Sequence, residues 1–368
     1  MSLTQAYTYY HGFNEAFYYL LATRSNPFTA PMMLGHPFYH LPPLYPSLVS
    51  VLQFMPTQAA SRLPSLISYA GLTWILWKKG NLLYAATPIL LLWMGRGQTD
   101  PTLTFMVVLV AWARNQQKPF LAGTAFLLGL LTKQTALLCL PLLLYWPGLR
   151  WRSRLLLTGL PLLASACWWL WQYSVSPQGV VEAWVFHSSQ RSQPFEALGE
   201  VLIWGFLIGS MGLPWWRIGS VWNQARAESI TALLFLLFAA WQAPWGHSYY
   251  ALPAIGLLAY TLPPPRTTLP TLLSVAVGVF LLMDAGDLGP PILRDAILSI
   301  PDGTCIRDEW WPQATVLEKD DGPGCLPSAH HLGRMDDSCP NRVREWSWMM
   351  SQIILSHCPL NQTGGQER

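Results

Sequence analysis

The 368-residue chain is 52% hydrophobic, only 11% charged, and carries a formal net charge of +3. A soluble globular domain is roughly one quarter charged, so these proportions exclude that class and point to a membrane protein. Soluble nucleic-acid and nucleotide-sugar enzymes are excluded as well: no phosphate-cradling glycine-rich loop follows a strand, and no basic cluster forms a binding stripe.

Residues 1–42 are aromatic and polar, with neither the basic start nor the apolar core of a signal peptide. Leu41-Pro42-Pro43-Leu44-Tyr45-Pro46 opens an apolar stretch to Met55 that is too short to span a bilayer and reads as a re-entrant or interfacial helix. Membrane helices are then predicted at 62–77, 82–95, 101–113, 119–132, 134–147, 155–172, 198–214, 229–242, 248–262 and 269–285. Trp and Tyr gather near segment ends, as in Trp168-Trp169, Trp215-Trp216 and Tyr249-Tyr250, where amphipathic rings prefer the interface.

Basic residues mark alternate connections: Lys78 and Lys79, Arg114 with Lys118, Arg150, Arg152 and Arg154, Arg217 with Arg226, and Arg266. The positive-inside rule places all of these in the cytoplasm. The other connections then lie outside: the Gly95-Arg96-Gly97-Gln98-Thr99-Asp100-Pro101 loop, Lys133, residues 173–197, the Pro244-Trp245-Gly246-His247 turn and the tail. This count leaves residues 1–61 outside too, and so predicts one further cytoplasm-to-exterior helix before Met1.

From Gly286 onward the chain changes character. The tail holds twelve of the nineteen acids but seven of the twenty-two Lys and Arg, about −5 against about +8 elsewhere. It also holds Cys305, Cys325, Cys339 and Cys358, which in an exported compartment suggest two disulfides with three possible pairings. A zinc site using His330, His331 or His357 is the rival, without a Cys-x-x-Cys spacing to support it. Asn361-Gln362-Thr363 is a glycosylation sequon on the same side. Three regions follow: an external N-terminal segment at 1–61 bearing part of the site, a transmembrane bundle at 62–285, and an extracytoplasmic disulfide-containing tail at 286–368.

The unusual polar residues collect on the external face: Glu15, His36, His40, Arg96, Asp100, Lys133, His187, Arg191 and His247. Ionisable groups beside apolar spans are functional candidates. Carboxylates there can take a proton from an acceptor nucleophile, while Lys and Arg hold a phosphate and offset charge developing on it. Each residue also has a plainer role. Asp100-Pro101 suits a helix start, Lys133 suits snorkelling from a helix end, and His36, His40 and His247 suit structural hydrogen bonding.

Several stretches, in order, resemble the GT-C class of membrane glycosyltransferases, close to protein O-mannosyltransferases and bacterial aminoarabinose transferases of lipid A. His11-Gly12-Phe13-Asn14-Glu15-Ala16-Phe17-Tyr18 is similar to the family's first external loop, which has Asp-Glu followed by Tyr. Leu41-Pro42-Pro43-Leu44-Tyr45 is similar to its Lys-Pro-Pro-Leu-Tyr, and Arg62-Leu63-Pro64-Ser65 to its Arg-Leu-Pro-Ser. Thr99-Asp100-Pro101-Thr102-Leu103-Thr104-Phe105 resembles the second external loop, and Gly129-Leu130-Leu131-Thr132-Lys133 the Gly-Leu-x-x-Thr-Lys turn. Trp184 to Arg191 resembles the later loop of His and Arg, and His247-Ser248-Tyr249-Tyr250-Ala251-Leu252-Pro253 the Tyr-x-Leu-Pro helix start.

The resemblance implies an all-α polytopic membrane protein, a GT-C-like bundle of about ten transmembrane helices with a small external C-terminal domain, in the cell membrane. It implies transfer of a sugar from a polyprenyl-phosphate or dolichyl-phosphate donor to a protein, lipid or glycan acceptor on the extracytoplasmic face, with no nucleic-acid partner. No cofactor is expected beyond the lipid-linked sugar as co-substrate, and no metal site is assigned. The family's first-loop acid deprotonates the acceptor, but here Asn14 stands at that position and an amide is not a base. Leu41, with His40 beside it, stands where the family often has Lys. Glu15 or Asp100 is therefore expected as the base, Lys133, Arg191 and Arg96 on the donor phosphate, and His187, His247, Tyr249 and His40 on the substrate. A non-catalytic binder of lipid-linked sugars and a transporter or flippase are the competing readings.

Overall fold

The computed structural model describes residues 42–52, 54–55, 57–94, 97–175, 177, 180–181, 213–214, 217, 219, 222, 225–241 and 248–264. It also describes the backbone of 32–33, 36–37, 307–308, 341–347 and 350–357. The helices in chain order are α1 (Leu44–Val51), α2 (Thr57–Lys79), α3 (Pro88–Trp93), α4 (Thr99–Asn115), α5 (Pro119–Thr132), α6 (Leu140–Leu144), α7 (Trp151–Val175), α8 (Arg226–Trp241) and α9 (Leu252–Thr261). Single 3-10 turns run over Leu82–Ala86, Gln134–Cys139 and Ser248–Ala251.

Within the described residues the predicted segments fall on helices or 3-10 turns, but several are broken. The span expected at 82–95 splits at Pro88, because the residue before proline is pushed out of the helical region and Thr87 is extended, with φ −60° and ψ 142°. The span expected at 134–147 becomes a 3-10 turn followed by five helical residues. By length and composition, α7 is the one described helix long and apolar enough to cross a membrane; Pro119–Thr132 and Gln134–Leu144 are shorter apolar pieces. The span expected at 269–285, and that at 198–214 up to residue 212, lie outside the described residues.

The ends of α2 and α4 show why these helices stop. Gly80 has φ +80°, with Gly80 N–H bonded to the Trp77 carbonyl at 3.0 Å and Asn81 N–H to Leu76 at 2.7 Å. Gln117, at φ 54°, repeats the arrangement after α4, with bonds to Arg114 at 3.0 Å and, from Lys118, to Ala113 at 2.8 Å. Both are left-handed caps that satisfy the last carbonyls, and Pro119 then starts a new helix.

Helix α4 is the centre of the bundle, packed by α2, α5 and α9. The contacts are close enough to need glycine: a Cβ on Gly71 of α2 would lie 2.5 Å from the Phe105 ring, and one on Gly256 of α9 would lie 2.7 Å from Thr104 Cγ2. Helix α7 is polar inside and apolar outside. Thr158, Ser165 and Gln172, seven residues apart, are buried, whereas Leu155, Leu156, Leu160, Leu163 and Leu170 are exposed. That is the inverse of a soluble surface helix and suits a lipid exterior.

Strands occur outside the bundle. β1 (Met32–Met33) pairs with β2 (His36–Pro37), and β3 (Arg307–Asp308), β4 (Asn341–Ser347) and β5 (Met350–His357) form an antiparallel sheet in the order β3-β5-β4. The all-α reading thus holds for the bundle and is corrected for the tail, where residues such as Val343, Ile353 and Ile354 favour a pleated surface. The four tail cysteines lie outside the described residues.

Candidate active site

Helix α4 begins at Thr99, with Gln98 rather than Asp100 at its cap position. Asp100 is thereby free to reach sideways. It is 3% exposed, and its two carboxylate oxygens each accept a hydrogen bond from Lys133 Nζ at 2.8 Å. Lys133 ends α5: its backbone N–H closes on Gly129 at 2.8 Å and its backbone is then extended, at φ −158°. This change of direction turns the side chain into the bundle, so it does not snorkel outward; its side chain is 16% exposed.

The remaining side of the ammonium is aromatic. Lys133 Nζ lies 4.6 Å from the ring centroid of Tyr250 and 5.8 Å from that of Tyr249. Cations are attracted to ring faces at such distances. Tyr249 meets Trp93 edge-on at 5.3 Å, and Tyr250 meets Phe238 edge-on at 6.0 Å. Helices α3 and α8 and the 3-10 turn Ser248–Ala251 thus supply a wall around a cation held by α4.

The described pieces that resemble one family meet at this end. Ser65 Oγ donates to the Gln98 carbonyl at 3.1 Å, and since it has a single proton, Tyr45 OH is the donor in their 3.0 Å contact. Ser68 Oγ lies 3.1 Å from Thr102 Oγ1. Tyr45 from the Pro-Pro-Leu-Tyr stretch, Ser65 from Arg-Leu-Pro-Ser and Gln98 beside Asp100 are buried in one chain of contacts.

Of the residues expected from sequence, Asp100, Lys133 and Tyr249 are brought together. Asn14, Glu15, His40, Arg96, His187, Arg191 and His247 lie outside the described residues, and of His36 only the backbone is described. Tyr250 and Trp93 were not singled out as site residues. Tyr250 had a signal, its place beside Tyr249 in the Tyr-x-Leu-Pro piece; Trp93 looked like any interfacial Trp. Among the described residues, no group of three or more His, Cys, Asp or Glu is placed to hold a metal ion.

The opposite end of α4 corrects one piece of the topology argument. Arg114, counted as a loop charge, is 8% exposed and pairs with Glu228 Oε1 at 2.8 Å. Lys78, Lys79, Lys118, Arg150 and Arg152 remain exposed at that end, so the basic face survives without it.

No family model matches the sequence, and no curated protein matches it. Solved structures do. ArnT from Cupriavidus metallidurans in the apo state aligns with a TM-score of 0.52 at 15% identity, over 78% of this chain and 61% of ArnT. The same protein bound to undecaprenyl phosphate aligns with a TM-score of 0.50 at 16% identity, over 78% of this chain and 60% of that one. This chain therefore spans about three-fifths of the length of ArnT, and what the two share is a fold, the arrangement of the helical bundle.

Proposed function

We propose that the protein is a GT-C glycosyltransferase that takes a sugar from a polyprenyl-phosphate donor at the outer face of the membrane and passes it to an external acceptor. The observation that carries this reading is the part-buried Lys133 held by buried Asp100 beside two tyrosine rings, at the end of the bundle where the described family-like stretches converge. Binding of undecaprenyl phosphate by ArnT, which has the same fold, supports a lipid-linked phosphate as the ligand.

In this reading Lys133 receives the phosphate. An ammonium has three protons; two point to Asp100 and the third lies on the side of the tyrosine rings, where an entering anion would take the place of the weaker contact with the ring faces. As the bond from the sugar to phosphate breaks, negative charge grows on the phosphate oxygens, and a fixed cation stabilises that charge without reorganising. Both oxygens of Asp100 are occupied by Lys133, so its role is to orient the cation, and Glu15 is assigned as the base that takes the acceptor proton. Arg96 and Arg191 are assigned to the phosphate, and His187, His247 and His40 to the sugar and acceptor.

The test is transfer of radiolabelled sugar from a panel of polyprenyl-phosphate sugars in membranes containing the protein, beside Lys133→Met and Glu15→Gln. Transfer abolished by both changes supports the assignment. Binding of the donor without transfer, in a folded protein, favours the non-catalytic reading, which has Asn14 in its support. Energised movement of a lipid-linked sugar without bond cleavage would establish a flippase instead.

A further inference from the structure

We infer that Arg114, at the far end of α4, is a positioning residue for Lys133; this rests on Lys133 being the anion site proposed above. Asp100 and Arg114 are fourteen residues apart on one helix, about 21 Å at 1.5 Å per residue. No direct contact joins Arg114 to Lys133, but two physical links do.

The first link is the chain that follows Lys133. It runs through the 3-10 turn Gln134–Cys139 and the five residues of α6 to Tyr145, whose carbonyl accepts from Arg114 Nε at 3.2 Å and Nη2 at 2.8 Å. Next to it, Trp146 Nε1 donates to Gln117 Oε1 at 3.0 Å. A 3-10 turn has poorer hydrogen bonds than an α-helix, so it fixes its own register weakly. This segment is held at both ends instead, by Asp100 on Lys133 and by Arg114 on Tyr145.

The second link is α8. Arg114 Nη1 pairs with Glu228 Oε1 at 2.8 Å in the first turn of that helix, with side chains 9% and 2% exposed. At the other end of α8, Phe238 packs edge-on against Tyr250, whose face covers Lys133. One guanidinium, with its fork of fixed donors, therefore holds both the backbone that carries Lys133 and the helix that buttresses its aromatic wall.

The experiment is a double-mutant cycle read by binding of undecaprenyl phosphate to purified protein in detergent, with thermal stability followed in parallel. Lys133→Met should weaken binding about tenfold, the loss of one charge-assisted contact. Arg114→Lys keeps a charge opposite Glu228 but loses the fork on Tyr145, and should weaken binding about threefold to tenfold while the protein stays folded. In the Lys133→Met background the same change should have almost no further effect. Arg114→Met with Glu228→Leu removes the pair without stranding a buried charge, and should fold and show the Arg114→Lys binding loss or more.

A loss from Arg114→Lys that persists undiminished without Lys133, or no loss at all, overturns the positioning role while leaving the anion site intact. Undiminished binding by Lys133→Met overturns the anion site itself, and the inference with it.

Discussion

Asp100 and Lys133, thirty-three residues apart in sequence, meet in a two-pronged ion pair with both oxygens 2.8 Å from one nitrogen. A buried pair of this kind is costly to break from one side, because the partner is left charged and unpaired. Asp100→Asn should therefore destabilise the protein by about 1–3 kcal/mol, since the amide still accepts one hydrogen bond. Lys133→Met should cost more, about 3–5 kcal/mol, because it strands the carboxylate. The combined change should recover most of that stability and none of the lipid-phosphate binding. Thermal unfolding in detergent beside the binding assay checks this, and a double variant less stable than Lys133→Met would show that the pair does not act as a unit.

A second prediction concerns the seam between α4 and α9. Thr104 Oγ1 donates to the Asp100 carbonyl at 2.7 Å, which fixes the rotamer and aims Cγ2 at Gly256. Gly256→Ala should cost about 1–3 kcal/mol through overpacking. Adding Thr104→Ser removes the methyl, keeps the hydroxyl, and should restore most of the loss. Gly71→Ala faces the ring of Phe105, which is only partly buried and can swing away, so its cost should be smaller. Equal melting points for the two alanine variants would contradict this account.

The positions of the helices were legible in the sequence because apolar runs and basic connections are local signals. Their breaks at Pro88 and after Lys133 were not, because an apolar run reads alike whether it forms one long helix or a turn and a short one. Asp100 and Lys133 were each legible as ionisable groups beside apolar spans, and the positive-inside rule put both at one face. That they bond to each other was not legible, since Lys133 looked as well suited to snorkelling and Asp100 to capping, and the choice depends on where α5 ends against α4. The same holds for Arg114, which reads as a loop charge until α8 supplies Glu228.

Asn81 gives a third prediction. Its side-chain amide donates to the carbonyls of Ala259 at 2.8 Å and Leu262 at 2.9 Å, with Tyr260 at 3.3 Å, and so closes the C-terminal end of α9. Those carbonyls are buried with the cap and have no water to turn to. Asn81→Ala should lower stability by about 1–3 kcal/mol, and Asn81→Asp by more, because a carboxylate cannot donate and meets three acceptors. Because α9 begins beside Tyr249 and Tyr250, the variant should also loosen lipid-phosphate binding. A melting point for Asn81→Asp at or above that of Asn81→Ala would rule out the donor role.

The fourth prediction is sidedness. The Lys133 end of α4 carries the proposed chemistry, and the other end carries exposed Lys78, Lys79, Lys118, Arg150 and Arg152. The positive-inside rule then places Lys118 in the cytoplasm and Lys133 toward the exterior. Lys118 is exposed between α4 and α5 with its ammonium 5.0 Å from the Trp112 ring centroid, so a cysteine there costs little beyond that surface contact. In intact cells, Lys118→Cys should resist a membrane-impermeant maleimide and react once the membrane is opened, with labelling read at the peptide by mass spectrometry. Labelling in intact cells would invert the bundle and place Lys133 toward the cytoplasm. A donor phosphate would then have to be met on the cytoplasmic side, and the proposed transfer to an external acceptor would fall even if the ion pair and the phosphate site stood.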